Sequence, residues 1–536
     1  MKFNVLLARL AISFVIGAGT ATAQINSDTI REVTTTLSAK AMEGRGIAQP
    51  GGERAAKYLA DKFAKAGLKP LGDEPTYQQH IKVDVQTLLP DTQLKVGSNT
   101  FRFKQDFGVA QPAYTELKEV SGPIAFVGYG VVSDELKRND LAGVEVKDRI
   151  VIVLSGKPRG VNAKLWNRES AQRVVFGRLI KQGAAGFIVV YDGDAARFPT
   201  AAALISNRSV SLSEPIKGTT LPARWSLELL ADEYKLPPSV LISESVAEKI
   251  FAGHADSFAE VKRKAELGQF VSRTLDETAS ISPRVKHETG ATTNVIGLLE
   301  GSDPKLKHEA LVYTAHYDAF GIDTEGNIYA GASDNALGVG KLVALAEAFG
   351  KLTAKPRRSI IFIATTGEEY GDLGAEYWLQ HPTFPLERIA ADINFDGSVL
   401  EVWGKLAFLL NVGFDVSDLD QVVQSVAAAS DLEIYPDPVP DEGFFYRSDH
   451  YAFIKQGIPA IFLLGGPAMN PNVLFARAKE WQETRYHTPA DVIQPDWNWE
   501  GAGMLASFAL AAGTRIANQE KLPSWKPGSP YHRPSH

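Results

Sequence analysis

Short apolar runs alternate with amphipathic stretches through the second half of the chain. Residues 294–299, 310–315, 359–364, 389–395 and 460–464 are predominantly apolar segments that read as buried strands. Residues 335–352, 373–380 and 419–429 repeat apolar side chains at helical spacing and read as helices. This alternation predicts an α/β fold, a mixed, mostly parallel sheet sandwiched by helices. In such sheets functional sites gather beyond the carboxyl ends of the strands.

The first half has a different texture. Residues 27–68 read helical, with Ile30, Val33 and Leu37 on one face, then Ala56, Leu59, Ala60 and Phe63 before Gly67 stops the pattern. The loop Glu43-Gly44-Arg45-Gly46 separates the two helices, and its arginine reads as a surface or packing residue. Residues 77–85 then read as a strand. From about residue 122 the pattern turns to short β runs at 124–132, 150–154 and 187–191, with one helix at 174–182. Nothing between 116 and 268 sets His, Asp and Glu at ligand spacing, so this section reads as a smaller β-rich insert. The expected division is 24–115 with 269–520 as one discontinuous domain, 116–268 as the insert, and a Pro-rich, loosely ordered tail at 521–536.

Composition narrows the function classes. At 536 residues, 44% hydrophobic and 22% charged, the chain has room for several cores. A net charge of −7 without basic clusters argues against nucleic acid as a partner. Lys2 and Arg9, the apolar centre at 10–15 and the small residues Ala21-Thr22-Ala23 predict an export signal over 1–23. The apolar portion falls short of the roughly 20 residues a membrane span needs, so no span is expected in the mature chain. With no cysteine the chain has neither disulfides nor thiolate chemistry, and the bacterial periplasm or the medium is the expected destination.

Candidate chemistry sits at the ends of the apolar runs: Ala315-His316-Tyr317-Asp318, Gly331-Ala332-Ser333-Asp334-Asn335, Gly367-Glu368-Glu369 and Asn394-Phe395-Asp396-Gly397. Imidazole and carboxylate at successive strand ends suit divalent metals of the zinc type. Asp334 leaves a Gly-rich turn for a helix and can present both oxygens, which suits a carboxylate shared by two ions. Adjacent glutamates are most often a solvated helix face, but Glu368 and Glu369 follow Ile360-Ile361-Phe362-Ile363-Ala364. Glu369 is read as a ligand, Glu368 as the general base, and Asp318 as the partner that orients His316.

With these phrases in view the chain resembles peptidase family M28, the zinc aminopeptidases. The matching phrases are 314–318, 331–338, 366–371, 393–396, Arg447-Ser448-Asp449-His450 and Tyr486-His487-Thr488, while Glu43-Gly44-Arg45-Gly46 resembles the family's N-terminal portion. The middle section resembles the protease-associated (PA) domain that members carry as an insert, through Gly128-Tyr129-Gly130 and 147–151. The resemblance implies two zinc ions, one held by His316, Asp334 and Asp396, the other by Asp334, Glu369 and His487. It also implies a non-proline cis bond after Asp334, and Tyr446 or His450 as the group facing the oxyanion. The implied activity is removal of N-terminal residues from a peptide substrate. Three alternatives stay open: a carboxypeptidase, for which Arg447 could hold a substrate carboxylate; a receptor-like binding protein without chemistry; and a one-metal cyclase of N-terminal glutamine.

Overall fold

A computed structural model of the chain describes residues 25–533 except 26, 111–116, 159, 163–164, 167–171, 194, 200–201, 203–207, 215–236, 270–271 and 439–442. The expected export signal lies outside the described residues. No helix of the described residues is long and apolar enough to cross a membrane.

The first of two eight-stranded sheets contains β1 (Gln78–Leu88), β2 (Ser209–Leu212), β3 (Val285–Leu299), β4 (Ala310–His316), β5 (Ser359–Thr365), β6 (Ile389–Asn394) and β7 (Ala460–Phe462), in the order β2-β1-β3-β5-β4-β6-β7, with Lys69–Pro70 also paired to β3. Strands β5, β4, β6 and β7 are parallel, and β2, β1 and β3 pair antiparallel. The sheet is thus mixed, with its parallel part confined to one half. Burial explains the split: every residue of β4, β5 and β6 is buried, as expected for strands covered on both faces. In β1, Ile81, Val83 and Val85 point inward while His80, Lys82 and Asp84 alternate outward.

The longer helices include α1 (Ser27–Leu37), α2 (Pro50–Lys65), α3 (Leu337–Gly350), α4 (Pro471–Thr484) and α5 (Glu500–Asn518). Helices α1, α3 and α5 share one core with Leu311 and Tyr313 of β4 and Phe362 of β5. Leu373–Gln380 and His450–Lys455 cover the other face, where Trp378 and Phe453 lie against Val312 and Ile361. The alternation of 311 and 313 with 310 and 312 between two cores is the period-2 signature of a sheet buried on both sides.

The insert is wider than the sequence suggests. A second eight-stranded sheet begins at Gln93–Val96 and ends at Arg273–Ser282, rather than spanning 116–268. Its outer hairpin (Gln93–Val96 with Asn99–Arg102) pairs with Arg273–Ser282, so the chain leaves the first sheet after Leu88 and re-enters it at Val285. Strand β2 crosses back from the insert to the edge of the first sheet. The run expected at 124–132 stops at Phe126, because Gly128 and Gly130 turn the backbone at φ 57° and 66°.

The described tail residues are held by side chains and by an isolated antiparallel bridge between Ser417 and Trp525. Trp525 Nε1 donates to Gly457 O at 2.8 Å, and Arg533 donates to Pro523 O at 2.7 Å and to Ile389 O at 2.8 Å. Each such bond contributes about 1 kcal/mol. A chain ending at residue 520 is therefore expected to melt lower by about 3–10 °C. An unchanged melting temperature by calorimetry would show that the tail does not stabilise the domain.

Candidate metal centre

Each candidate ligand except His487, which comes from a turn after α4, lies at the carboxyl end of a parallel strand or enters a helix beside one. His316 closes β4 and lies opposite Thr365, the last residue of β5. Three residues beyond Thr365, Glu368–Tyr370 form a single tight turn between Gly367 and Gly371, both in the left-handed region at φ 77° and 98°. That turn lets two adjacent glutamates diverge. Asp396 stands two residues past Asn394, the end of β6, and its Oδ1 accepts from Gly397 N at 2.6 Å. Asp334 sits in the turn Ala332–Ala336 that runs into α3, and the Asp334–Asn335 peptide bond is cis.

These segments converge. His316 Nε2 lies 3.2 Å from Asp334 Oδ1 and 3.1 Å from Asp396 Oδ1. His487 Nε2 lies 3.1 Å from Asp334 Oδ2 and 3.1 Å from Glu369 Oε2. Asp334 therefore turns one oxygen to each imidazole. The result is two three-residue groups with Asp334 in common, His316–Asp334–Asp396 and Asp334–Glu369–His487. Glu368 stands beside them, its Oε2 3.7 Å from His316 Nε2, and belongs to neither group.

Asp318 is fully buried behind His316, its Oδ1 3.6 Å from Nδ1 and accepting from Glu368 N at 3.3 Å. The 3.6 Å separation is long for a hydrogen bond, and His316 Nδ1 and Asp318 Oδ2 have no other partner among the described residues.

The electrostatics are those of a cation-binding cleft. Burial lowers the His316 imidazole, but the carboxylates of Asp396, Glu368, Asp318 and Asp334 outweigh it and raise the group well above its ordinary value. Burial likewise opposes His487, which Glu369 and Asp334 nonetheless raise to about 10. Burial pushes Glu368 well above the usual carboxylate range and Glu369 up to about 7, with His316 and His487 respectively pulling them down. Carboxylates in such number, out of water, hold cations, protons at the least.

The donor set also fits zinc sterically. For ligand bonds of about 2.0–2.1 Å, a tetrahedral ion separates its donor atoms by about 3.3 Å. The observed nitrogen–oxygen separations of 3.1–3.2 Å match that edge. Nitrogen and oxygen donors, three to each group, leave room for a further ligand.

Two of the expected residues fall differently. Tyr446 is 47% exposed and packs edge-on against Phe445 and Tyr451. His450 is buried, stacked on Phe462, with Nε2 3.0 Å from Phe445 O. That nitrogen can meet a carbonyl only as a donor, which leaves Nδ1 without a proton. Burial lowers the imidazole to about 4, so it stays neutral and has no spare N–H for an oxyanion.

Sequence reasoning missed Tyr486. Its ring stacks on His487 with centroids 3.7 Å apart. Burial raises its phenol far above the ordinary value, and Asp334, Glu369, Glu368 and Asp396 raise it further. Adjacency to His487 was the available signal.

Comparison with known proteins agrees with this geometry. Residues 294–512 match the model of peptidase family M28. A probable glutamate carboxypeptidase of Arthroderma benhamiae is 28% identical over 445 residues, 76% of this chain and 58% of that protein. A vacuolar membrane protease of Clavispora lusitaniae is 35% identical over 107 residues, 20% of this chain, and the chain spans only 9% of its length. The solved aminopeptidase from Aneurinibacillus sp. strain AM-1 shares the fold, with a TM-score of 0.58 at 18% identity over 96% of this chain and 99% of that one. Residues 294–512 thus form a region similar to peptidase family M28, and that region holds both donor groups.

Proposed function

We propose that the protein is an exported di-zinc exopeptidase that removes N-terminal residues from peptides. One observation carries this reading: two complete sets of imidazole and carboxylate donors share Asp334, with Glu368 left over beside them. A binding protein that had lost its chemistry would have no reason to keep that spare carboxylate. Export draws on the basic start and apolar centre of residues 1–23 and on the absence of cysteine.

In this reading His316, Asp334 and Asp396 hold one zinc, and Asp334, Glu369 and His487 the other. Zinc, when bound, would supply a Lewis acid that polarises the scissile carbonyl and lowers the pKa of water to about 7. Glu368 takes a proton from the attacking water and returns it to the amine that leaves as the C–N bond breaks. Glu368 is free for this because it belongs to neither three-residue donor group. Tyr486, in place of Tyr446 or His450, turns its phenol to the carbonyl oxygen as negative charge develops there. Accordingly, Tyr486→Phe is expected to lower kcat by about 10²–10³-fold with little change in zinc content. Tyr446→Phe should leave kcat within about twofold, and the reverse ranking in steady-state kinetics would reassign the role.

Carboxypeptidase activity is the second reading, supported by the name of the Arthroderma benhamiae relative and by Arg447, next to Ser448 at the start of the His450–Lys455 helix. Paired peptides, free or acetylated at the amine and free or amidated at the carboxyl, separate the two. Aminopeptidase action requires cleavage to stop on acetylation and survive amidation. The opposite pattern establishes a carboxypeptidase.

A further inference from the structure

The Glu43-Gly44-Arg45-Gly46 loop, far from the metal centre in sequence, ends inside it. Arg45 is fully buried, and its guanidinium donates to four main-chain carbonyls: Leu37 O at 2.8 Å, Tyr317 O at 2.6 Å, Ala330 O at 2.6 Å and Gly331 O at 2.9 Å. Tyr317 follows His316, and Gly331 opens the turn that presents Asp334. Gly331 itself sits at φ 53°, and a Cβ there would lie 2.8 Å from Arg45 Nη2 and 2.4 Å from Asp334 O. The guanidinium and the turn are thus packed face to face without room for a side chain.

Asp491 grips the same turn from the other side. Its carboxylate, 2% exposed, accepts from Ser333 N at 3.1 Å and from Asp334 N at 3.0 Å, and its main-chain oxygen accepts from Ala332 N at 3.1 Å. It lies four residues beyond His487, so one short segment delivers a ligand imidazole and a carboxylate that fixes the shared ligand's backbone. Burial lowers the Arg45 guanidinium to about 10, against Asp318, Asp491, Asp334 and Glu369, so it remains charged at neutral pH.

We infer that Arg45 and Asp491 are positioning residues that clamp the Gly331–Asp334 backbone from its carbonyl and amide sides and so preset the angle at which Asp334 meets the two donor groups. The inference rests on the metal-centre reading above. Lysine carries the same charge as Arg45 but offers donors from one atom, which cannot span carbonyls contributed by three separate segments. Removing hydrogen-bonding partners of metal ligands characteristically weakens metal binding by about 10–100-fold.

The test measures zinc affinity of the full chain by competition with a chelating dye, alongside the visible spectrum of the cobalt-loaded protein and the melting temperature of the metal-free form. Asp491→Asn and Arg45→Lys are both expected to weaken zinc binding by about 10–100-fold and to alter the cobalt spectrum. Should Arg45→Lys not fold, Asp491→Asn decides the matter. Wild-type affinity and an unchanged cobalt spectrum in Asp491→Asn, whatever its melting temperature, would overturn the inference and leave Asp491 a structural residue only. If the unaltered protein binds no zinc, the metal-centre reading fails instead, and the two failures are told apart.

Discussion

Glu368→Gln should bind as much zinc as the unaltered protein yet hydrolyse peptides about 10²–10⁴-fold more slowly. Glutamine keeps the shape and the backbone bond to Asp318, since that bond is made by Glu368 N. It removes only the capacity to accept a proton. Because Glu368 belongs to neither three-residue donor group, metal content should not follow the loss of turnover. KM should change little, because the substitution removes a contribution made at the transition state rather than at binding. Zinc analysis by mass spectrometry together with kcat on one preparation checks both halves. Full activity would remove Glu368 from the chemistry, and loss of zinc would make it a ligand.

Asp334→Ala should be more severe, because each carboxylate oxygen serves a different imidazole. Both donor groups fall from three residues to two, and two protein ligands seldom retain zinc against dilution. The expected result is less than one zinc per chain and no measurable hydrolysis. His487→Ala is the informative contrast: it removes a ligand from one group only and should leave about one zinc bound. If Asp334→Ala still carried two ions, Asp334 would not be shared.

Much of this site could be read from residues near one another along the chain. His316, Asp334, Glu368, Glu369 and Asp396 each follow an apolar run or open a helix, and a strand end is a local property of sequence. The parallel half of the sheet was legible for the same reason, since β4, β5 and β6 are predominantly apolar and wholly buried. His487 was not legible by spacing. It arrives from a turn after α4, and only its phrase Tyr486-His487-Thr488, matched as a family resemblance, marked it.

What escaped was set by long-range packing. Arg45 looks like any loop arginine until the carbonyls of Tyr317, Ala330 and Gly331 surround it, some 270 residues later. Asp491 is likewise defined by main-chain amides it meets only in the fold. The insert's limits depended on which strand Gln93–Val96 would pair with, and its partner Arg273–Ser282 is distant in sequence. The tail looked loose because its Pro-rich composition hides the bonds that Trp525 and Arg533 make to main-chain carbonyls.

Diffraction from zinc-loaded crystals, with anomalous differences collected on both sides of the zinc edge, addresses the dinuclear centre directly. Two peaks are predicted about 3.5–4 Å apart, one among His316, Asp334 and Asp396 and one among Asp334, Glu369 and His487, with Asp334 touching both. A single peak, or a pair that Asp334 does not bridge, would contradict it.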